Sequence, residues 1–291
     1  MIPAPPIECV WQVNGLELAG LAWGEPHARP VLALHGWLDN AASFSLLAPL
    51  LEDCYVVAPD LTGHGKSACR SADASYQIWD DLPEILGVLE ALGWERFTLL
   101  GHSRGAIIAS LLAASFPERV AHLVKLDAFM PQPVAERDFS SQLRNFIDQK
   151  RYWLARENRV YASIDAAVAS REKAGLPAAA ARLLVERNLR PCANGFTWTT
   201  DLRLRGASAV KLTAGQVQAV LEGLVMPTLL LLTDDDASRK AVIAAQATQY
   251  CPGMELAFIA GGHHFHMEAA VGTVASQIAG FLQGQHKLGV T

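Results

Sequence analysis

The sequence has little that would bind nucleic acid, cross a membrane or staple a fold with sulfur. Its 291 residues carry a formal net charge of −5, with acidic and basic residues mixed along the chain. No basic stripe is present to follow a phosphate backbone, which points away from a nucleic-acid partner. No apolar run approaches the ~18 residues a helix needs to span a bilayer. The opening stretch, MIPAPPIECVWQVNG, lacks the basic-then-apolar order of a signal peptide. The five cysteines (Cys9, Cys54, Cys69, Cys192 and Cys251) are odd in number, dispersed and without a C-x-x-C pair. That argues against a disulfide framework or a cysteine zinc site. A reducing, cytoplasmic setting is therefore expected. Internal repeats and low-complexity tracts are also missing. What remains is a chain that is 51% hydrophobic, enough to bury a sizeable core in one or two domains.

The apolar residues are arranged in short runs. ECVWQV and LELAGLAW flank Asn14-Gly15, a pair that tolerates positive φ and so predicts a hairpin. RPVLALHG, CYVVAPD, FTLLGH and HLVKLD are continuous apolar runs of the kind found in buried parallel strands. Between them lie helix-like stretches: AASFSLLAPLLED, SYQIWDDLPEILGVLEALG (interrupted by Pro83) and GAIIASLLAASFPE. The alternation predicts an α/β fold, a mostly parallel sheet with helices on both faces. From Phe129 to Val225 the chain reads as helical and charged, so an inserted helical cap (129–225) is expected between two core segments, 1–128 and 226–291. PTLLLLT and MELAFIAGG restore the strand pattern, and MEAAVGTVASQIAGFLQ closes with a helix.

One corner of this pattern carries chemistry. Gly101-His102-Ser103-Arg104-Gly105 fits G-x-S-x-G directly after a strand and directly before a helix. On such a turn the serine is held in a strained conformation with its hydroxyl exposed above the sheet. The helix that follows aims N–H groups at developing negative charge. A serine hydroxyl is a weak nucleophile until a base takes its proton. The order Ser, acid, His in this motif class leads to GGHHFHMEAA, where His263, His264 and His266 compete. His263, nearest the end of the preceding strand, is taken as the base, with His264 and His266 as packing residues. Nothing like H-E-x-x-H accompanies them to suggest zinc.

The acid that orients the base should follow a strand. Asp234, Asp235 and Asp236 follow PTLLLLT, and Asp127 ends HLVKLD. Two N–H donors are needed for an oxyanion: Arg104, after the serine, and Trp37, in the His35-Gly36-Trp37 turn. DLTGHGKS fails as a phosphate loop, because Asp60 stands where G-x-x-x-x-G-K-[ST] requires glycine, and it reads as a structural turn.

With LALHGWLDNAASF, VAPDLTGHGKS, GHSRGA, PTLLLLTDDD and GGHHFHME in this order, the sequence resembles the α/β-hydrolase fold superfamily over nearly its whole length. HGWLDNAASF together with GFTWTTDLRLR resembles the serine hydrolase-like branch. The resemblance implies an eight-stranded sheet, and it implies a serine esterase or related acyl hydrolase. Ser103 would be the nucleophile, His263 the base and Asp236 the acid, with Thr233 in place of a usual glycine and Asp127 as the alternative. His263 and Glu268 fit the family's histidine and glutamate spacing. It implies no metal and no organic cofactor, and a small acyl molecule as the binding partner. A thioesterase, a carbon–carbon bond hydrolase or a cofactor-free perhydrolase would use the same residues. A hydrolase-like binding protein with little turnover is the rival from another class. The Arg104 side chain is expected to pair with an acid on the cap.

Overall fold

Asn14 and Gly15 turn the chain with φ of 52° and 80°, the mirror-image turn that matches the twist of the strands it joins. A computed structural model describes residues 5–234 and 237–284. The hairpin consists of β1 (Ile7–Val13) and β2 (Leu16–Trp23). It is followed by β3 (Arg29–Leu34), β4 (Cys54–Pro59), α1 (Asp81–Ala91), β5 (Phe97–His102), α2 (Arg104–Ser115) and β6 (Val120–Leu126). Next come α3 (Phe139–Leu154), β7 (Val160–Tyr161), α4 (Ile164–Glu172), α5 (Ala178–Asn188), β8 (Leu189–Cys192), β9 (Gly195–Trp198) and α6 (Ala214–Glu222). The chain then returns through β10 (Thr228–Thr233), α7 (Ala237–Tyr250), β11 (Met254–Ile259) and α8 (Val271–Leu282).

Among the described residues, eight strands form one sheet in the order β1-β2-β4-β3-β5-β6-β10-β11. β1 and β2 pair antiparallel, as do β2 and β4, while every later pair is parallel. The apolar runs are continuous because each central strand is buried on both faces. Leu32, Leu34, Leu99, Leu123, Leu230 and Leu232 pack with α1, α2, α6 and α7 on one face. Val31, Ala33, Leu100, Val124, Leu229 and Leu231 pack with α8, Phe44 and Phe265 on the other. Each leucine so buried contributes about 1.5–3 kcal/mol.

Three elements differ from the sequence expectation. AASFSLLAPLLED gives two short 3-10 turns, Ala41–Phe44 and Ala48–Leu50, rather than a helix. Asn40 caps the first turn, and Pro49 cannot donate to a continued helix. Pro83, by contrast, falls in the first turn of α1, where its missing N–H has no helical acceptor anyway. The segment 129–225, expected to be helical, also contains a three-stranded sheet in the order β7-β9-β8. Ala193 and Asn194 turn β8 into β9 with the pair Cys192 and Gly195 closing the hairpin, and Gly195 has φ of 128°.

The segment has a core of its own around Tyr161, Val168, Leu184 and Val185, into which Met267 reaches from the loop after β11. α6 lies within the same interval yet packs Val217 and Leu221 into the main core. Arg187 at the end of α5 fastens the segment to the sheet. Its guanidinium Nε lies 2.9 Å from Asp60 Oδ2, with both side chains buried, and its Nη1 lies 2.9 Å from Glu8. Asp60 also accepts the backbone N–H groups of Ala41 and Lys66. The DLTGHGKS loop is thus built around a buried carboxylate.

Candidate active site

Ser103 sits between β5 and α2 with φ of 51° and ψ of −118°. A non-glycine residue is strained at positive φ, and here the surroundings hold it. The Ser103 N–H donates to Leu126 O at 2.9 Å. A Cβ on Gly105 would run into the Leu34 carbonyl, and one on Gly101 would come within 2.5 Å of the Ala106 Cα. The two glycines therefore let α2 pack hard against β3 and β5 while the corner lifts the serine hydroxyl off the sheet.

The hydroxyl meets a histidine. His263 Nε2 lies 3.0 Å from Ser103 Oγ, and its Nδ1 lies 2.5 Å from Asp127 Oδ2. With Nδ1–H donating to the carboxylate, the Nε2 lone pair faces the serine proton. Asp127, at the end of β6, has φ of 49° and a side chain only 2% exposed, whereas that of His263 is 48% exposed. The second carboxylate oxygen accepts the backbone N–H and the hydroxyl of Thr233, at 3.1 and 3.2 Å. Arg239 stands 3.6 Å from the same oxygen. Thr233, which replaces a glycine in the family pattern, therefore holds the aspartate. Glu268 holds the histidine loop by accepting the Gly262 N–H at 2.8 Å.

The acid expected at Asp236 lies outside the described residues, as does Asp235. The carboxylate on His263 Nδ1 is that of Asp127, the alternative. Asp234 follows β10 and donates its N–H to Ile259 O at 3.2 Å. The other two histidines face elsewhere. His264 Nε2 lies 3.0 Å from Asp39 Oδ2, and His266, fully buried, lies 2.9 Å from Ser43 Oγ. Arg104 opens α2, so its N–H has no acceptor one turn earlier in the helix. Its side chain lies 2.7 Å from Asp81 at the start of α1. The expected pairing with an acid on the cap is corrected by this contact, because the guanidinium extends along the core helices. Trp37 follows Gly36 in the turn after β3, and its indole N–H donates to Leu204 O at 2.8 Å.

Beside these residues lies a cavity of about 380 Å³ whose wall includes Trp37, Trp79, Arg104, Ile107, Leu204 and Leu212. A larger cavity, about 530 Å³, opens on the other side of Asp127, toward α6 and α7. The smaller one borders the turn that carries the serine, with Arg104 in its wall.

Sequence reasoning missed His102, Asp39 and Arg171. Asp39 is buried, with Arg171 Nη2 2.8 Å from one oxygen and His264 on the other. Burial alone would raise its pKa, but the hydrogen bond from His264 and the neighbouring positive groups hold its carboxyl well below the usual range. The only sequence signal for His102 is its place before the serine at the end of a buried strand.

The chain matches the family model described as alpha/beta hydrolase fold over residues 29–270, and it belongs to that family. Within it, the chain belongs to the serine hydrolase-like branch. It is 34% identical over 283 residues to a serine hydrolase-like protein of Danio rerio, covering 92% of this chain and 86% of that one. The crystal structure of a hypothetical protein from Pseudomonas aeruginosa PAO1 superposes with a TM-score of 0.90 at 37% identity, over 95% of this chain and 99% of that one. A thioesterase domain from the curacin biosynthetic pathway superposes with a TM-score of 0.83 at 25% identity, over 94% and 99% of the two chains. Family and relatives support hydrolase activity. Among the described residues, no helix is long and apolar enough to cross a membrane.

Proposed function

We propose that the protein is a serine hydrolase that cleaves a small carboxylic ester or a related acyl substrate through an acyl-enzyme at Ser103. The observation that carries this reading is the unbroken line from Ser103 Oγ to His263 Nε2 at 3.0 Å and from His263 Nδ1 to Asp127 Oδ2 at 2.5 Å. His263 takes the serine proton as Oγ adds to the carbonyl carbon, then returns it to the leaving oxygen. Asp127 fixes the useful tautomer and stabilises the imidazolium, the part assigned from sequence to Asp236. The N–H groups of Trp37 and Arg104 hold the oxyanion. Water then attacks the acyl-enzyme with His263 as base. The cavity beside Trp37 and Arg104 holds the acyl or leaving group, and residues 129–225 act as the cap that shapes it.

Likeness to a thioesterase domain favours one second reading, a thioester substrate cleaved by the same steps. The direct test is labelling with a fluorophosphonate probe. The wild-type chain should be labelled, and a folded Ser103→Ala variant should not. Equal labelling of both would remove Ser103 from the mechanism. No labelling of either would favour a binding protein without turnover. Matched oxygen-ester and thioester substrates of graded chain length then separate the two readings.

A further inference from the structure

Beside the Ser103–His263 pair lies a buried group that the proposed hydrolysis does not use. His102 is fully buried, and its Nε2 lies 2.9 Å from the carbonyl oxygen of His263. A carbonyl can only accept, so Nε2 carries the hydrogen and Nδ1 presents a lone pair. Among the described residues that lone pair has no hydrogen-bond partner, and it faces Asp39 Oδ2 across 3.8 Å. Two acceptors thus confront each other where no bulk water screens them, an arrangement that costs free energy unless something positive lies between. A water donating straight to both would hold them about 4.4 Å apart at ordinary hydrogen-bond lengths. A metal ion bonded to each at ~2.1 Å spans 3.8 Å comfortably with an obtuse ligand angle.

Two further features converge on the same point. His264 Nε2 lies 3.0 Å from Asp39 Oδ2, and the three donor atoms all lie within 4.8 Å of one another. Gly36 covers the space. A Cβ there would stand 2.9 Å from His102 Nδ1 and 3.1 Å from Asp39 Oδ2, so the glycine leaves open the volume into which both atoms point.

We propose that Asp39, His102 and His264 form a binding site for a divalent transition-metal ion such as Zn²⁺, Co²⁺ or Ni²⁺, next to the serine–histidine pair and sharing no ligand with it. Two imidazoles and one carboxylate suit these ions and not Ca²⁺ or Mg²⁺, which take mostly oxygen ligands. To bind, a neutral His264 shifts its proton to Nδ1, and its hydrogen bond to Asp39 gives way to a metal bond. An imidazolium at that position would release one proton to solvent. Arg171 keeps the other Asp39 oxygen, 2.8 Å away, and its positive charge moderates the affinity. Ligation pulls on the loop that carries His263, so the ion slows the reaction proposed for Ser103.

The test is a titration of the chelator-treated full chain with Co²⁺, read by visible absorption and by the thermal midpoint. One saturable Co²⁺ per chain, nitrogen–oxygen d–d bands, a raised midpoint and reversal by EDTA are expected. His264→Gln, whose amide can still donate to Asp39, should weaken binding by about tenfold or more. Gly36→Ala, which fills the space but keeps all three ligands, should weaken it as well. His263→Ala should bind as the wild type does. The proposal is overturned if no saturable binding is found, if folded His264→Gln and Gly36→Ala bind unchanged, or if His263→Ala is the variant that loses the ion. Thiolate charge-transfer bands, placing the ion on a cysteine, would overturn it too. Failure of Ser103 labelling with Co²⁺ binding intact would count against the hydrolase reading alone.

Discussion

A carboxylate can orient a histidine only if something orients the carboxylate. Asp127 meets that condition: both oxygens are engaged, one by His263 and the other by Thr233. Asp127→Asn should therefore lower ester turnover by about 10³–10⁴-fold, because an amide no longer selects the tautomer or stabilises the imidazolium. Asp234→Asn and Asp236→Asn should change it little. Steady-state kinetics of the three variants on one ester decide the matter, and a dominant loss at Asp236 would return the acid to the loop after β10. At this scale the sequence was legible where the backbone dictates the side chain. Gly101 and Gly105 flank the serine because neither position has room for a Cβ. The first histidine after Gly261-Gly262 reaches the serine because it emerges nearest the strand end. The acid was harder to read. Asp127 and Asp234 both stand directly after buried parallel strands, and spacing alone does not say which carboxylate turns toward the histidine. His102 was silent because a buried imidazole looks, in sequence, like any polar residue at the end of a strand.

The element with most depending on it outside the sheet is α5, through the ion pair of its penultimate residue. Arg187 and Asp60 are both buried, so removing one leaves the other charged and poorly solvated. Arg187→Met should cost about 3–5 kcal/mol in urea unfolding, and adding Asp60→Asn should recover part of that loss. A loss of about 1 kcal/mol or less, as for a surface pair, would mean that the backbone N–H donors of Ala41 and Lys66 suffice for Asp60 without the arginine. Among elements, the central strands β3, β4, β5, β6 and β10 were readable because burial on two faces writes an unbroken apolar run, and β1 and β2 because Asn14-Gly15 marks the turn between them. The 3-10 turns at Ala41–Phe44 and Ala48–Leu50 were not, since their apolar residues repeat like a helix and only Pro49 speaks against one. The β8–β9 hairpin escaped notice because Arg190 and Pro191 break its strand pattern, leaving Asn194-Gly195 as its one signal.

Across the whole molecule, the most unusual charge is Lys125 in the centre of the sheet. It is fully buried, with its amine donating to Phe129 O, and burial pushes it down to about 7 from an ordinary 10.5. Between those values the unfolded chain holds a proton that the folded chain has released, so this group makes stability rise with pH from about 7 toward 10.5. Lys125→Met should remove that rise. Urea midpoints of both proteins across the range measure it, and parallel curves would refute the assignment. Trp37 leads to a consequence on the same scale. Its backbone belongs to the turn after β3 and its indole is tied to the carbonyl of Leu204 in the inserted segment. The two stretches that carried the branch resemblance, HGWLDNAASF and GFTWTTDLRLR, are therefore halves of one joint. A chimera that exchanges residues 129–225 for those of another hydrolase, while keeping the turn, should misalign Trp37, the oxyanion donor proposed above, even if both parts folded. Grafting both halves together should keep Trp37 in register, so the two stretches are to be exchanged as a unit although 150 residues of chain separate them.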